Sequence, residues 1–318
     1  MSELESLHFQ FVSFTGLAPG ARLIVLGAVH GNETCGTQAI RRVIAEIESG
    51  QLGMVAGSVT FVPVTNPLAY ARHQRMGDRN LNRNLVPTDT PAEFEDRIAN
   101  WLCPLLAQHD ALLDLHSFHT AGQPFVMLGP EDNGGTLEPF ARAAEETALA
   151  LSLGVHRFVD GWLDTYAAGV ARRLAAGASS READVHYGVG TTEYMRAQGG
   201  IALTLECGQH DDPAAPEVAW RAIHNALAHL RLTSTPVPAP VTDTEALRLY
   251  RVIDRAHAAD AFVRDWSSFD PVHAGEVIGR RHDGTPVVAD GDGYIVFPNP
   301  NALSGQEWFY LAKNSTRV

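Results

Sequence analysis

Cysteine is scarce. Only Cys35, Cys103 and Cys207 occur in 318 residues, and an odd count with wide spacing excludes a disulfide framework. Positive charge is also short. Lys and Arg number 24 against 37 Asp and Glu, a net charge of -13, so the basic footprint of a nucleic-acid binder is missing. A few local arginines could still hold an anionic small molecule. Long apolar runs are absent. No stretch approaches the roughly 18 apolar residues of a membrane span, so no membrane partner is expected. The opening MSELESLHFQ lacks the basic-then-apolar pattern of a secretory signal. Gly (28) and Pro (18) are at ordinary usage, which excludes collagen-like and low-complexity chains. What remains is a globular chain. Its thiols are expected to pack as small apolar groups in the reducing cytoplasm.

At roughly 150 residues per domain the length allows a large and a small domain. Arg22–Val29, Ser58–Thr65, Ala111–His116 and Ile201–Glu206 read as strands. Thr37–Glu48, Ala92–Gln108, Thr136–Leu151 and Glu217–Leu230 read as helices, with a kink expected at Pro104. Strands alternating with helices predict an α/β sheet covered on both faces. Leu232–Thr244, LTSTPVPAPVTDT, reads as a linker. Beyond it, turn signals every few residues predict a β-rich domain over 246–318, after a main domain over 1–232.

Chemistry concentrates at the ends of these strands, where open α/β sheets bind ligands. In GAVHGNETCG, His30 follows an apolar strand and Glu33 comes three residues later. In ALLDLHSFH, His116 ends a second strand, and Asp114 shares its face two residues earlier. His119 competes for the ligand role but lies past the strand end. Two imidazoles and one carboxylate with an open position fit a catalytic zinc better than a structural one, and Asp114 suits the partner that fixes a ligand's tautomer. Glu206 is the one carboxylate in IALTLECGQ. A buried Glu is costly unless paired or used, and its functional reading is a general base for water on the metal. Its plain alternative is a salt-bridged strand end. Cys207 reads as packing, since no base for a thiol nucleophile is evident. Asn66–Asn84, NPLAYARHQRMGDRNLNRN, reads as a loop whose guanidinium forks can bind carboxylates. Arg72 and Arg79 within it read as solvated.

Together HGNE (30–33), NP (66–67), LNR (81–83), DLH (114–116), TLECG (204–208) and YIVFPNP (294–300) resemble the succinylglutamate desuccinylase/aspartoacylase family of the zinc carboxypeptidase superfamily. The resemblance implies a mixed sheet flanked by helices with a small C-terminal β domain. It implies one Zn2+ on His30, Glu33 and His116, and catalysis by Glu206 with Arg75 as the oxyanion partner. It also implies a substrate carboxylate held by Asn82 and Arg83, and hydrolysis of a small N-acyl amino acid. Tyr194 and Arg196 lie where family members recognise the rest of the substrate. Family members often carry Asp where this chain has Asn80, which weakens the expected support for His30. A capping C-terminal domain would restrict the site to small substrates. A peptide-trimming metallocarboxypeptidase and a non-catalytic carboxylate-binding relative are the competing readings. A symmetric homo-oligomer is the default expectation.

Overall fold

A computed structural model describes residues 7–318. The chain runs β1 (Val12–Thr15), β2 (Ala18–Gly27), α1 (Cys35–Glu48), β3 (Ala56–Val62), α2 (Pro67–Ala71), α3 (Phe94–Leu106) and β4 (Ala111–Phe118). Next come β5 (Phe125–Met127), α4 (Ala143–Ser152), β6 (Arg157–Asp160), α5 (Trp162–Ala175), α6 (Thr191–Ala197), β7 (Ile201–Gln209) and α7 (Ala215–His229). The C-terminal region holds β8 (Glu245–Asp254), β9 (Ala261–Phe262), β10 (Pro271–Val272), β11 (Val277–Arg280), β12 (Pro286–Val288), β13 (Gly293–Val296) and β14 (Glu307–Asn314).

Alternation along the strands explains the layers. Leu23, Val25, Leu113, Leu115, Leu203 and Leu205 face one side and pack on α1, α4 and α7. Ile24, Leu26, Leu112 and Ala202 face the other, under Ile98, Leu102 and Leu106 of α3 and Met195 of α6. Each such side chain contributes roughly 1.5–3 kcal/mol by leaving water. By the same period, Asp114, His116, Thr204 and Glu206 share the α3/α6 face. β2, β4 and β7 are parallel neighbours, with His116 opposite Glu206.

The fold is the expected mixed α/β sheet flanked by helices. α3 runs through Pro104 to Leu106, inside the helix expected over 92–108, and one boundary shifts. α4 starts only at Ala143 rather than at Thr136, because Pro139 lacks an N–H and disfavours the helical region for Glu138. Residues 234–244 carry no helix or strand. The β region beyond them joins the main sheet: β8 pairs in parallel with β6 and antiparallel with β14. Among the described residues the result is one sheet of eleven strands, ordered β1-β3-β2-β4-β7-β5-β6-β8-β14-β13-β10, beside a separate β12-β11-β9 sheet.

Candidate metal centre and active site

Beyond the end of β2, Ala28 takes a φ of 47°, a strained turn for a non-glycine residue (about 1–3 kcal/mol). It is held as Asn66 N–H donates to Ala28 O (3.0 Å). The turn leads to His30. Gly31 then passes α2 so closely that a Cβ would lie 2.0 Å from the backbone carbon of Ala69. Glu33 N–H donates back to His30 O (3.1 Å), which curls Glu33 over the imidazole.

Three buried side chains meet here. His30 Nδ1 lies 2.9 Å from Glu33 Oε1, and His116 Nδ1 lies 2.9 Å from Glu33 Oε2. Candidate ligand atoms of His30, Glu33 and His116 all fall within 4.8 Å of one another. The two rings stand 5.0 Å apart at 68°. Both Nδ1 atoms turn toward Glu33, and both Nε2 atoms turn outward: His30 Nε2 lies 3.0 Å from Asn80 Oδ1, and His116 Nε2 lies 3.0 Å from Asp114 Oδ2. Thr191 Oγ1–H donates to the same Asp114 oxygen (2.5 Å).

This donor set fits zinc. His30 Nδ1 is buried and, although 2.9 Å from Glu33 Oε1, makes no hydrogen bond of good geometry, and imidazole with carboxylate is zinc chemistry. The charges agree. Burial and the Arg75 charge push His30 down to about 4, in the neutral form. Burial works against charge on His116, but Asp114 and Glu33 outweigh it and raise this imidazole well above its usual range. Glu33 is likewise buried, yet the two imidazoles hold its carboxyl well below the ordinary value.

The set opens on a cavity of about 290 Å³. Glu206 lines it from β7. Burial pushes its carboxyl up to about 8, with Glu33 and Asp114 adding while His116 and Arg75 oppose, and its Oε2 has no partner. Arg75 donates to Glu33 Oε1 (2.9 Å) and is half exposed. Asn82 Oδ1 accepts from Thr191 N–H (2.9 Å), which leaves the Nδ2 donors for the cavity. Arg83 lies 4.7 Å over the Trp162 ring and meets Glu307 only at 3.8 Å.

Arg196 lines the cavity, but Glu138 and Glu146 (2.8 Å each) and Ala202 O (2.6 Å) occupy its fork. Tyr194 lies elsewhere, against the α3 core, where burial and a bond with Cys103 push its hydroxyl up to about 12. His119 lines the cavity but stands outside the donor set. Arg79, read as solvated, is buried: it pairs with Asp96 (3.0 Å) and donates to Arg83 O (2.6 Å). The three cysteines are free and buried.

Sequence reasoning missed several contributors. Fully buried Glu95 accepts from Asn66 Nδ2 and from the N–H groups of Gly77, Asp78 and Arg79 (2.8–3.2 Å), so it shapes the loop that carries Arg75 to Arg83. Gly190 lets Asn82 approach, since a Cβ there would lie 2.1 Å from Asn82 Oδ1. The C-terminal region supplies Phe297, Asn299, Gln306, Glu307 and Tyr310 to the wall. The FPNP turn in the sequence was the available signal for Phe297 and Asn299.

Comparison with known proteins bears on this geometry. A family profile described as succinylglutamate desuccinylase/aspartoacylase catalytic domain matches residues 19–232. A succinylglutamate desuccinylase of Vibrio cholerae is 28% identical over 289 residues, covering 89% of this chain and 78% of that protein. Among solved structures, a succinylglutamate desuccinylase/aspartoacylase from Rhodobacter sphaeroides superposes with a TM-score of 0.72 at 18% identity, over 97% of this chain and 90% of the other. An aspartoacylase family protein from Mesorhizobium loti gives 0.66 at 19% identity, over 98% and 90%.

Proposed function

Because the chain belongs to the succinylglutamate desuccinylase/aspartoacylase family, we propose that it is a zinc-dependent hydrolase that cleaves the amide bond of a small N-acyl amino acid. One observation supports this above the rest. Three buried ligand atoms converge beside a carboxylate, Glu206, whose oxygen lacks a partner, in a cavity that also holds Asn82 and Arg83.

His30, Glu33 and His116 would hold the metal. When bound there, zinc supplies Lewis acidity for amide cleavage. Glu206 takes the proton of the attacking water and delivers it to the departing amine nitrogen; a carboxyl raised toward neutrality suits both transfers. Arg75 uses one N–H on Glu33 and turns its remaining donors to the carbonyl oxygen, where a well-placed donor contributes about 3 kcal/mol. Asn82 Nδ2 and the Arg83 guanidinium hold the substrate carboxylate.

A wall of C-terminal residues favours small substrates over the peptides of a carboxypeptidase. Three free, buried thiols accord with a cytoplasmic setting, and among the described residues no helix is long and apolar enough to cross a membrane. The test is zinc-loaded protein incubated with N-acyl amino acids, with the released amine quantified. Release that needs zinc and Glu206 supports the reading. Full zinc with no release from any amide overturns it.

A further inference from the structure

Charge and apolarity are divided across this cavity in a way that constrains what fills it. Four cations reach it, and three are already engaged. Arg196 is held by Glu138 and Glu146, Arg75 by Glu33, and Arg181 by Glu93 near the surface (3.2 Å). Arg83 alone lacks a close carboxylate: its Nη1 donates to Asn82 O (2.9 Å), and Glu307 stands at 3.8 Å. Glu182, Glu193 and Glu307 sit on the same wall, so a second substrate carboxylate would meet repulsion without a free cation to answer it.

One side of the cavity carries a run of apolar and aromatic side chains. Across the sheet from the metal ligands the side chains change character: Met127 of β5 stands opposite Thr204, and Phe125 opposite Glu206. Phe118, Met127, Leu128, Trp162 and Phe297 line the cavity. Phe118 meets Phe297 at 6.2 Å, Phe297 meets Tyr310 at 6.4 Å, and Tyr310 meets Trp162 at 5.5 Å between ring centroids, a continuous aromatic run. Tyr310 Oη is buried without a hydrogen-bond partner, which offers one further donor on the Arg83 side.

We propose that this cavity selects N-acyl amino acids with a single carboxylate and an apolar aliphatic or aromatic group, and disfavours substrates with two or three carboxylates, such as the succinylglutamate after which its relatives are named. The single carboxylate lies on Arg83 and Asn82, and the apolar group lies along the Phe118–Phe297–Trp162 wall. The inference rests on the proposed amide hydrolysis for its reaction but on the cavity alone for its selectivity.

Two measurements separate these. In the zinc-loaded wild-type enzyme, kcat/KM is compared for N-acetyl-leucine, N-acetyl-phenylalanine and N-hexanoyl-glycine against N-acetyl-aspartate and N-succinyl-glutamate. The expected ratio is at least about 10-fold in favour of the apolar monocarboxylates, the scale on which apolar pockets discriminate. The leucine and phenylalanine arms against the hexanoyl arm report whether the wall takes the amino-acid side chain or the acyl group. Calorimetric Kd values for the same five compounds on zinc-loaded Glu206→Gln should rank the same way. Apolar ranking in Kd without turnover of any amide would sink the hydrolase reading and leave the selectivity standing. Equal or tighter binding and faster turnover of N-acetyl-aspartate and N-succinyl-glutamate would overturn the selectivity, as would failure of all five to bind. Met127→Arg, checked for folding by circular dichroism, should shrink the ratio toward one. An unchanged ratio in the folded variant would show that this wall does not face the variable group.

Discussion

Asn80 and Asp114 stand behind the two imidazoles, and they are not equivalent. Asn80 Oδ1 accepts from His30 Nε2 and from the Asn82 N–H, so it keeps the acceptor while giving up the charge that Asp114 supplies to His116. Outer partners of this kind are worth 10–100-fold in metal affinity. Asn80→Asp should therefore tighten zinc binding by about 10-fold, read by competition with a chelator; an unchanged or weaker Kd would contradict it. Gly190→Ala should push Asn82 aside. KM for a carboxylate-bearing substrate should rise about 10-fold, one hydrogen bond to a charged group, with kcat little changed; a fall in kcat alone would mean that Asn82 does not hold the ground-state substrate. His30, His116 and Glu206 stood out in the sequence because each ends an apolar run where polarity needs a reason, and Glu33 because it follows His30 by three residues. Thr191 and Gly190 were not, because their partner Asn82 is 109 positions away in sequence and their types are ordinary for a helix start.

At the scale of elements, the loop from Arg75 to Arg83 is set by α3 through Glu95. Glu95→Gln replaces an acceptor with a donor facing buried N–H groups. It should cost about 3 kcal/mol, a fall in Tm of roughly 6–12 °C by calorimetry, with a raised KM from the displaced Asn82 and Arg83. An unchanged Tm would remove Glu95 from this role. In the C-terminal region, Asp260 is buried, which alone would raise its carboxyl. Arg281 and the N–H groups of His282, Ala256 and His257 outweigh that and hold it at about 2. A depressed carboxyl contributes stability above its unfolded value near 3.9 and loses it as pH falls toward 2. Asp260→Asn should therefore lower Tm at pH 7 and flatten the loss of Tm between pH 4 and pH 2; an unaltered acid profile would contradict this. The long strands were readable from their apolar runs. β5 and β6, with three and four residues, are too short for a period to show, yet they join the strands that carry His116 and Glu206 to the C-terminal region.

Across the whole molecule, the sheet continues from the strands that carry His116 and Glu206 through β5 and β6 into β8 and β14, so residues of the C-terminal region reach one side of the cavity. Texture in the sequence marked this region as β-rich, but it could not say that β8 would pair with β6, because pairing partners are set by tertiary packing. Substrates too long for the walled cavity should be refused: N-acyl amino acids should turn over while tripeptides do not. Equal rates on both would show that the wall does not limit size. The account as a whole stands on one zinc held by His30, Glu33 and His116, and metal analysis after exhaustive dialysis tests it most directly. Wild type and Glu206→Gln should each retain one zinc per chain, while His30→Ala and His116→Ala, still folded, should retain almost none. Stoichiometric zinc in both histidine variants would contradict the account.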